Sequence, residues 1–139
     1  MNEKTAKRVL DSQAMLALLW NEEHAAQVDR VLERGEPWMT LVNLGEVAYM
    51  VERRQGAAEA DAIWANLLAD DHADGRMIRF LDVDPRLARR AASIKAHGGI
   101  SYADSFAAAA AERLDCPVLT GDREFEVAEK LGIAVDWLR

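Results

Sequence analysis

Residues 101–125 read SYADSFAAAAAERLDCPVLTGDREF. Ser101 to Leu114 is alanine-rich and predicts a helix that can pack closely on a sheet. Pro117-Val118-Leu119 reads as a short strand, after which the chain turns at Thr120-Gly121 with an acid, Asp122, directly behind. The same alternation continues in both directions. Downstream, Val127 to Leu131 is a short helix ended by Gly132, and Ala134 to Trp137 is a last strand. Upstream, Met77 to Val83 reads as a strand, and Asp84-Pro85 places a cap residue before proline at the start of a helix through Leu87, Ala88 and Ala91.

Further upstream, Leu44, Val47, Ala48 and Val51 fall at helical spacing, as do Ala60, Ile63, Trp64 and Leu67. They predict two consecutive helices broken at Gln55-Gly56, with Trp64 on the apolar, core-facing side. Pro37 to Thr40 is a strand, Ala25 to Arg34 a helix stopping at Gly35, and Arg8-Val9-Leu10 the first strand. Asp11-Ser12 opens a helix through Met15, Leu16 and Leu19. Strands separated by helical crossovers imply an α/β fold with a mostly parallel sheet of about five strands, covered on both faces. Ligands in such sheets sit at the carboxyl ends of the strands.

At 139 residues, half of them hydrophobic, the chain is expected to form one domain over residues 1–139. No apolar run is long enough to span a bilayer, and Met1 to Arg8 lacks the apolar core of a secretory signal, so a cytoplasmic location is expected. The single cysteine, Cys116, reads as a buried core thiol. A net charge of -7 argues against a conventional basic nucleic-acid binder, but acids gathered around divalent ions would count toward it.

Four acids occupy equivalent places. Asp11 follows the first strand, Glu46 lies in the first turn of the helix after the second, Asp104 in the first turn of the alanine-rich helix, and Asp122 after the fourth strand. Taken singly, each reads first as a cap: Asp11 and Asp122 as plain N-caps, Asn43-x-x-Glu46 and Ser101-x-x-Asp104 as capping boxes or their relatives. Capping gives no reason for all four to share one edge of one sheet. A hard cation does, because Mg²⁺ and Mn²⁺ prefer carboxylate oxygen.

Val9-Leu10-Asp11-Ser12, Asn43-Leu44-Gly45-Glu46, Ser101-Tyr102-Ala103-Asp104-Ser105 and Leu119-Thr120-Gly121-Asp122-Arg123-Glu124-Phe125 resemble, in order and spacing, the four acidic motifs of PIN-domain nucleases. More narrowly, the chain is similar to VapC-type toxins of toxin–antitoxin pairs. The resemblance implies a PIN-like three-layer α/β/α sandwich and a Mg²⁺- or Mn²⁺-dependent endoribonuclease, a homodimer or larger, with RNA as substrate and an antitoxin protein as partner. It implies that Asp11, Glu46, Asp104 and Asp122 hold the metal and carry catalysis, that Ser12 and Thr120 support the site through hydrogen bonds, and that Asn43 orients the glutamate region. Gln13 departs from the small or apolar residue common there. Glu126 reads first as solvated helix surface and second as a ligand.

Carboxylate-held divalent ions can activate a nucleophile, neutralise charge at phosphorus and stabilise the leaving oxygen. That chemistry does not require a ribose 2′-hydroxyl, so the choice of RNA rests on the resemblance. Other chemistries lack their residues. His24, His72 and His97 are without zinc-site spacing and read as surface, and neither a nucleophile elbow nor a Gly-x-x-x-x-Gly-Lys loop is present. A haloacid-dehalogenase-like phosphatase would want an acid at position 13, which is glutamine. Arg53-Arg54, and Arg86, Arg89 and Arg90 with Lys95, are the candidate RNA-binding groups, with a plain solvated helix face as the competing reading. No tryptophan is assigned as a stacking platform. A non-catalytic module, a degenerate PIN or receiver-like domain using its acidic pocket to dock a basic partner, is the alternative function.

Overall fold

The computed structural model describes residues 6–69 and 78–139. In chain order the elements are β1 (Lys7–Leu10), α1 (Ser12–Leu19), α2 (Ala25–Arg34), β2 (Glu36–Thr40), α3 (Leu41–Gln55), α4 (Ala57–Leu68) and β3 (Arg79–Leu81). There follow α5 (Pro85–Ala96), α6 (Tyr102–Leu114), β4 (Val118–Thr120), a 3-10 turn (Arg123–Phe125), α7 (Glu126–Lys130) and β5 (Val135–Trp137). The five strands form one sheet in the order β3-β2-β1-β4-β5, and every neighbouring pair is parallel. Its class is therefore the expected α/β sandwich.

Strand pleating divides the core in two. Val9 and Val118 face one way and pack with Leu87, Ile94 and the buried alanines 107–111 of α5 and α6. Leu10 and Leu119 face the other way, against Met15, Val28, Val47 and Val51 of α1, α2 and α3. Alanine is what lets α6 sit buried between sheet and α5, since its side chain stops at Cβ.

The strand order places the topological switch between β1 and β4. From β1 the chain winds outward through β2 to β3, then returns across to β4 and β5. Leu10 pairs with Leu119, which sets Asp11 beside Thr120 at the carboxyl ends of the two central strands. Open sheets leave their crevice at this point.

Four expectations are corrected. Helix α3 begins at Leu41, because Thr40 caps it by accepting the Asn43 N–H at 3.1 Å; Glu46 therefore lies in its second turn, and Asn43-x-x-Glu46 is not its capping box. Trp64 is 39% exposed, because α4 packs chiefly on α3 and buries only Ala60 fully, so the ring is not core. The third strand spans Arg79–Leu81, with Val83 exposed beyond it; Met77 lies outside the described residues, as does His72. The fourth strand starts at Val118 and includes Thr120, which carries the strand right up to the acid-bearing turn. Among the described residues, no helix is long and apolar enough to cross a membrane.

Candidate metal centre

Asp11 caps α1, with one carboxylate oxygen accepting the Ala14 N–H at 2.8 Å and the other accepting the Thr120 hydroxyl. The same Thr120 oxygen accepts the Asp122 N–H at 2.9 Å, so one hydroxyl ties the acid after β1 to the backbone of the acid after β4. Asp122 in turn caps the 3-10 turn through the Glu124 N–H at 2.9 Å. Ser12 donates to Glu46. Buried Asn43 bonds with Thr40 and donates to the Ala103 carbonyl at 3.1 Å, which fixes α3 against the first turn of α6 beside Asp104. Ser101 caps α6 by accepting the Asp104 N–H at 3.1 Å. The capping readings of Asp11, Asp122 and Ser101 are thus correct as local geometry, and the caps converge.

One carboxylate oxygen from each of Asp104, Asp122 and Glu124 lies within 4.8 Å of the others. These three line a cavity of about 480 Å³ with Glu46, Ser12, Gln13, Trp20 and Met50 on its walls. Asp11 is 1% exposed and does not line the cavity, yet its charge acts on Asp104 and is acted on by Asp122 and Glu46. Among the described residues no lysine or arginine lines this cavity, so these walls carry no compensating positive charge. An all-oxygen donor set with uncompensated charge fits a hard divalent cation rather than zinc or copper.

Glu124 was missed by sequence reasoning. It sits two residues after Asp122, and the 3-10 turn capped by Asp122 brings both carboxylates to the same cavity; Glu124 also accepts the Ser101 N–H at 2.6 Å. Glu126, the acid singled out instead, pairs with Arg123 and faces a separate cavity of about 590 Å³ that holds none of the four predicted acids. Gln13, set aside as a departure, accepts the Gly121 N–H at 2.9 Å and so braces the turn that presents Asp122. A Cβ at Gly121 would stand 3.3 Å from that glutamine oxygen.

The candidate RNA-binding residues are divided. Arg53 and Arg54 are exposed in the last turn of α3. The second group lies on α5, which packs on α6: Arg90 forks onto Glu112 at 2.7 and 2.9 Å, Arg89 donates to Ser93, and Lys95 donates to the Ile100 carbonyl. Arg86 shares a cavity with Arg90 and Glu112 that has no wall in common with the acid cavity. His24 is half-buried with Nε2 4.0 Å from Glu23, and His97 is exposed; neither lines the acid cavity. Cys116 is buried, and burial pushes its thiol up to about 11, leaving it unreactive.

Burial is the main force on Asp11, pushing its carboxyl up to about 7 against the Thr120 and Ala14 hydrogen bonds, with Asp122 and Glu46 adding to the rise. Burial likewise raises Asp104, followed by the charges of Asp11, Asp122, Glu46 and Glu124. Where the folded state holds a proton that the unfolded chain has released, stability falls as pH rises. For Asp11 that window runs from the unfolded value of 3.8 to about 7, with a slope near 1.4 kcal/mol per pH unit for each such group. In chelator the melting temperature should therefore be higher at pH 5 than at pH 8, and the difference should shrink in Asp11→Asn. Thermal melts across that range check it; a melting temperature that is flat or rises toward pH 8 contradicts the electrostatic account.

The family model described as PIN domain matches residues 8–131. No curated protein matches the chain in sequence. Among solved structures, DNA-bound VapBC from Salmonella typhimurium is similar with a TM-score of 0.71 at 19% identity, over 97% of this chain and 100% of that one. VapC20 of Mycobacterium tuberculosis, a Sarcin-Ricin loop cleaving toxin, is similar with a TM-score of 0.70 at 19% identity, over 86% and 93%. VapBC-5 of Mycobacterium tuberculosis, a member of the VapBC family of toxin-antitoxin systems, gives 0.57 at 25% identity, over 96% and 98%.

Proposed function

The chain belongs to the PIN domain family, and from that premise we propose that it is a Mg²⁺- or Mn²⁺-dependent endoribonuclease, the VapC-type toxin of a toxin–antitoxin pair. The observation that carries the reading is the convergence of Asp104, Asp122 and Glu124 in a cavity that no basic side chain lines among the described residues, with Glu46 on its wall and Asp11 buried beside it. Asp104, Asp122 and Glu124 would hold the metal, with Glu46 reaching it from the wall of α3 and Asp11 adding charge from beneath. Held by these residues, a divalent ion would supply Lewis-acid activation of a water and neutralise charge at the phosphate. Thr120, Ser12, Gln13 and Asn43 orient the acids through the hydrogen bonds above, so that little reorganisation is needed when substrate arrives.

Residues 1–139 act on this reading as one nuclease domain, in the cytoplasm, as a homodimer. RNA as substrate is supported by the similarity to a Sarcin-Ricin loop cleaving toxin, and an antitoxin partner by the similarity to VapBC assemblies. The test is incubation of the purified chain with a mixed RNA pool in chelator, Mg²⁺ or Mn²⁺. Cleavage with metal and none in chelator is expected. Intact RNA under all conditions, together with tight binding of a basic protein in the acid cavity, would instead support the non-catalytic module. Co-expression with the product of the neighbouring gene should yield a complex that no longer cleaves.

A further inference from the structure

The acid cavity does not end at its acids. Trp20 and Met50 line it, and the same two residues line a second cavity of about 400 Å³ whose other walls are Arg53 and Arg54. Helix geometry explains the continuity. From Glu46, Met50 is one turn along α3 and Arg53 two turns, so acid, thioether and guanidinium fall on one side of the helix. Arg53 and Arg54 lie about 10 to 12 Å beyond Glu46 along the axis.

Four of the other described arginines, Arg8, Arg90, Arg113 and Arg123, are committed to acids of the chain. Arg53 makes no ion pair among the described residues, and the Arg54 guanidinium stands 4.2 Å from the centre of the Trp20 ring. That ring is further fixed by its Nε1, which donates to Gln55 at 2.8 Å. A chain of net charge -7 thus holds two adjacent cations in the cavity next to its acidic one, across the shared Trp20 and Met50, without spending them on its own acids among the described residues.

We propose that Trp20, Arg53 and Arg54 form a substrate subsite for single-stranded RNA, in which the arginines take backbone phosphates some nucleotides away from the scissile bond and the Trp20 ring is the apolar wall against which a base lies. This rests on the nuclease reading above. Phosphate contacts supply most of the affinity for a single strand, and aromatic rings accept any base. The spacing puts the arginines about three nucleotides from the acids for a stacked strand, given roughly 3.4 Å per nucleotide. The Arg86, Arg89 and Arg90 face takes no part.

The experiment compares wild type, the double variant R53Q/R54Q and W20F on two substrates: a dinucleotide, too short to reach the arginines, and a mixed-sequence single strand of about a dozen nucleotides. R53Q/R54Q should cleave the dinucleotide as wild type does. On the longer strand its KM should rise by on the order of tenfold with kcat unchanged, and the salt slope of binding should fall by about 1.4, the contribution of two phosphates. The longer strand should change the tryptophan emission of wild type and not that of W20F. Equal KM and equal salt slope in R53Q/R54Q would overturn the subsite while leaving the nuclease intact. So would a double variant that cleaves RNA normally but is no longer inhibited by a partner protein, which would make this a protein-docking surface. A wild type that cleaves neither substrate under any metal condition would remove the nuclease reading itself.

Discussion

Asp11→Asn is expected to lose metal-dependent RNA cleavage by on the order of a thousandfold, the equivalent of several kcal/mol of charge stabilisation, while the protein folds normally. The substitution separates the two roles that the geometry gives this residue. As a cap, asparagine is the equal of aspartate, so the Ala14 N–H keeps its acceptor. The Thr120 hydroxyl, which donates to Asp11, can accept from the new amide instead. What asparagine removes is one buried carboxylate, 1% exposed, whose charge acts on Asp104 of the cavity. If Asp11 were only a cap, cleavage of a mixed RNA pool would survive. Circular dichroism beside the assay distinguishes lost chemistry from lost fold, and wild-type cleavage by Asp11→Asn would remove Asp11 from the site.

Element order was legible because local signals agree with the fold at most boundaries: Gly35, Gly56, Asp84-Pro85 and Ser101 each end or begin a helix where their chemistry predicts. The acids were legible because a parallel sheet collects the residues that follow its strands. Where the reading failed, tertiary context decided. The 15-residue helix α3 starts three residues before Leu44 because Thr40, the last residue of β2, doubles as its cap, and threonine suits a strand and a helix cap alike, so composition does not separate the two. Trp64 follows helical periodicity perfectly well, but periodicity says which residues share a face and not whether another layer covers it. Glu124 was hidden by conformation: a 3-10 turn rather than an α-helix follows Asp122, so the acid two residues on, rather than the one four residues on, joins the cavity. Arg90 could not be told from a phosphate ligand until its fork onto Glu112, 22 residues away, was seen.

Asp122→Asn should have opposite effects on the fold with and without metal. Without metal, the Asp122 charge helps to raise both Asp11 and Asp104, which means that folding drives like charges together at a cost. Asparagine keeps the cap on the Glu124 N–H and removes that repulsion, so in chelator the variant should melt higher than wild type. With metal the order of the gains reverses. A ligand bound only by the native state stabilises it by RT ln(1 + [L]/Kd), about 2.7 kcal/mol at a hundredfold excess over Kd. For a domain of this size that raises the wild-type melting midpoint by on the order of 5 to 10 °C. Having lost one of the three carboxylates that come within 4.8 Å of one another, Asp122→Asn should gain much less from millimolar Mn²⁺ or Mg²⁺. Four melting curves decide the matter, wild type and variant, each in chelator and in metal. Equal shifts in the two proteins would mean that Asp122 only caps its turn, and the centre would then have to be rebuilt around Asp104 and Glu124.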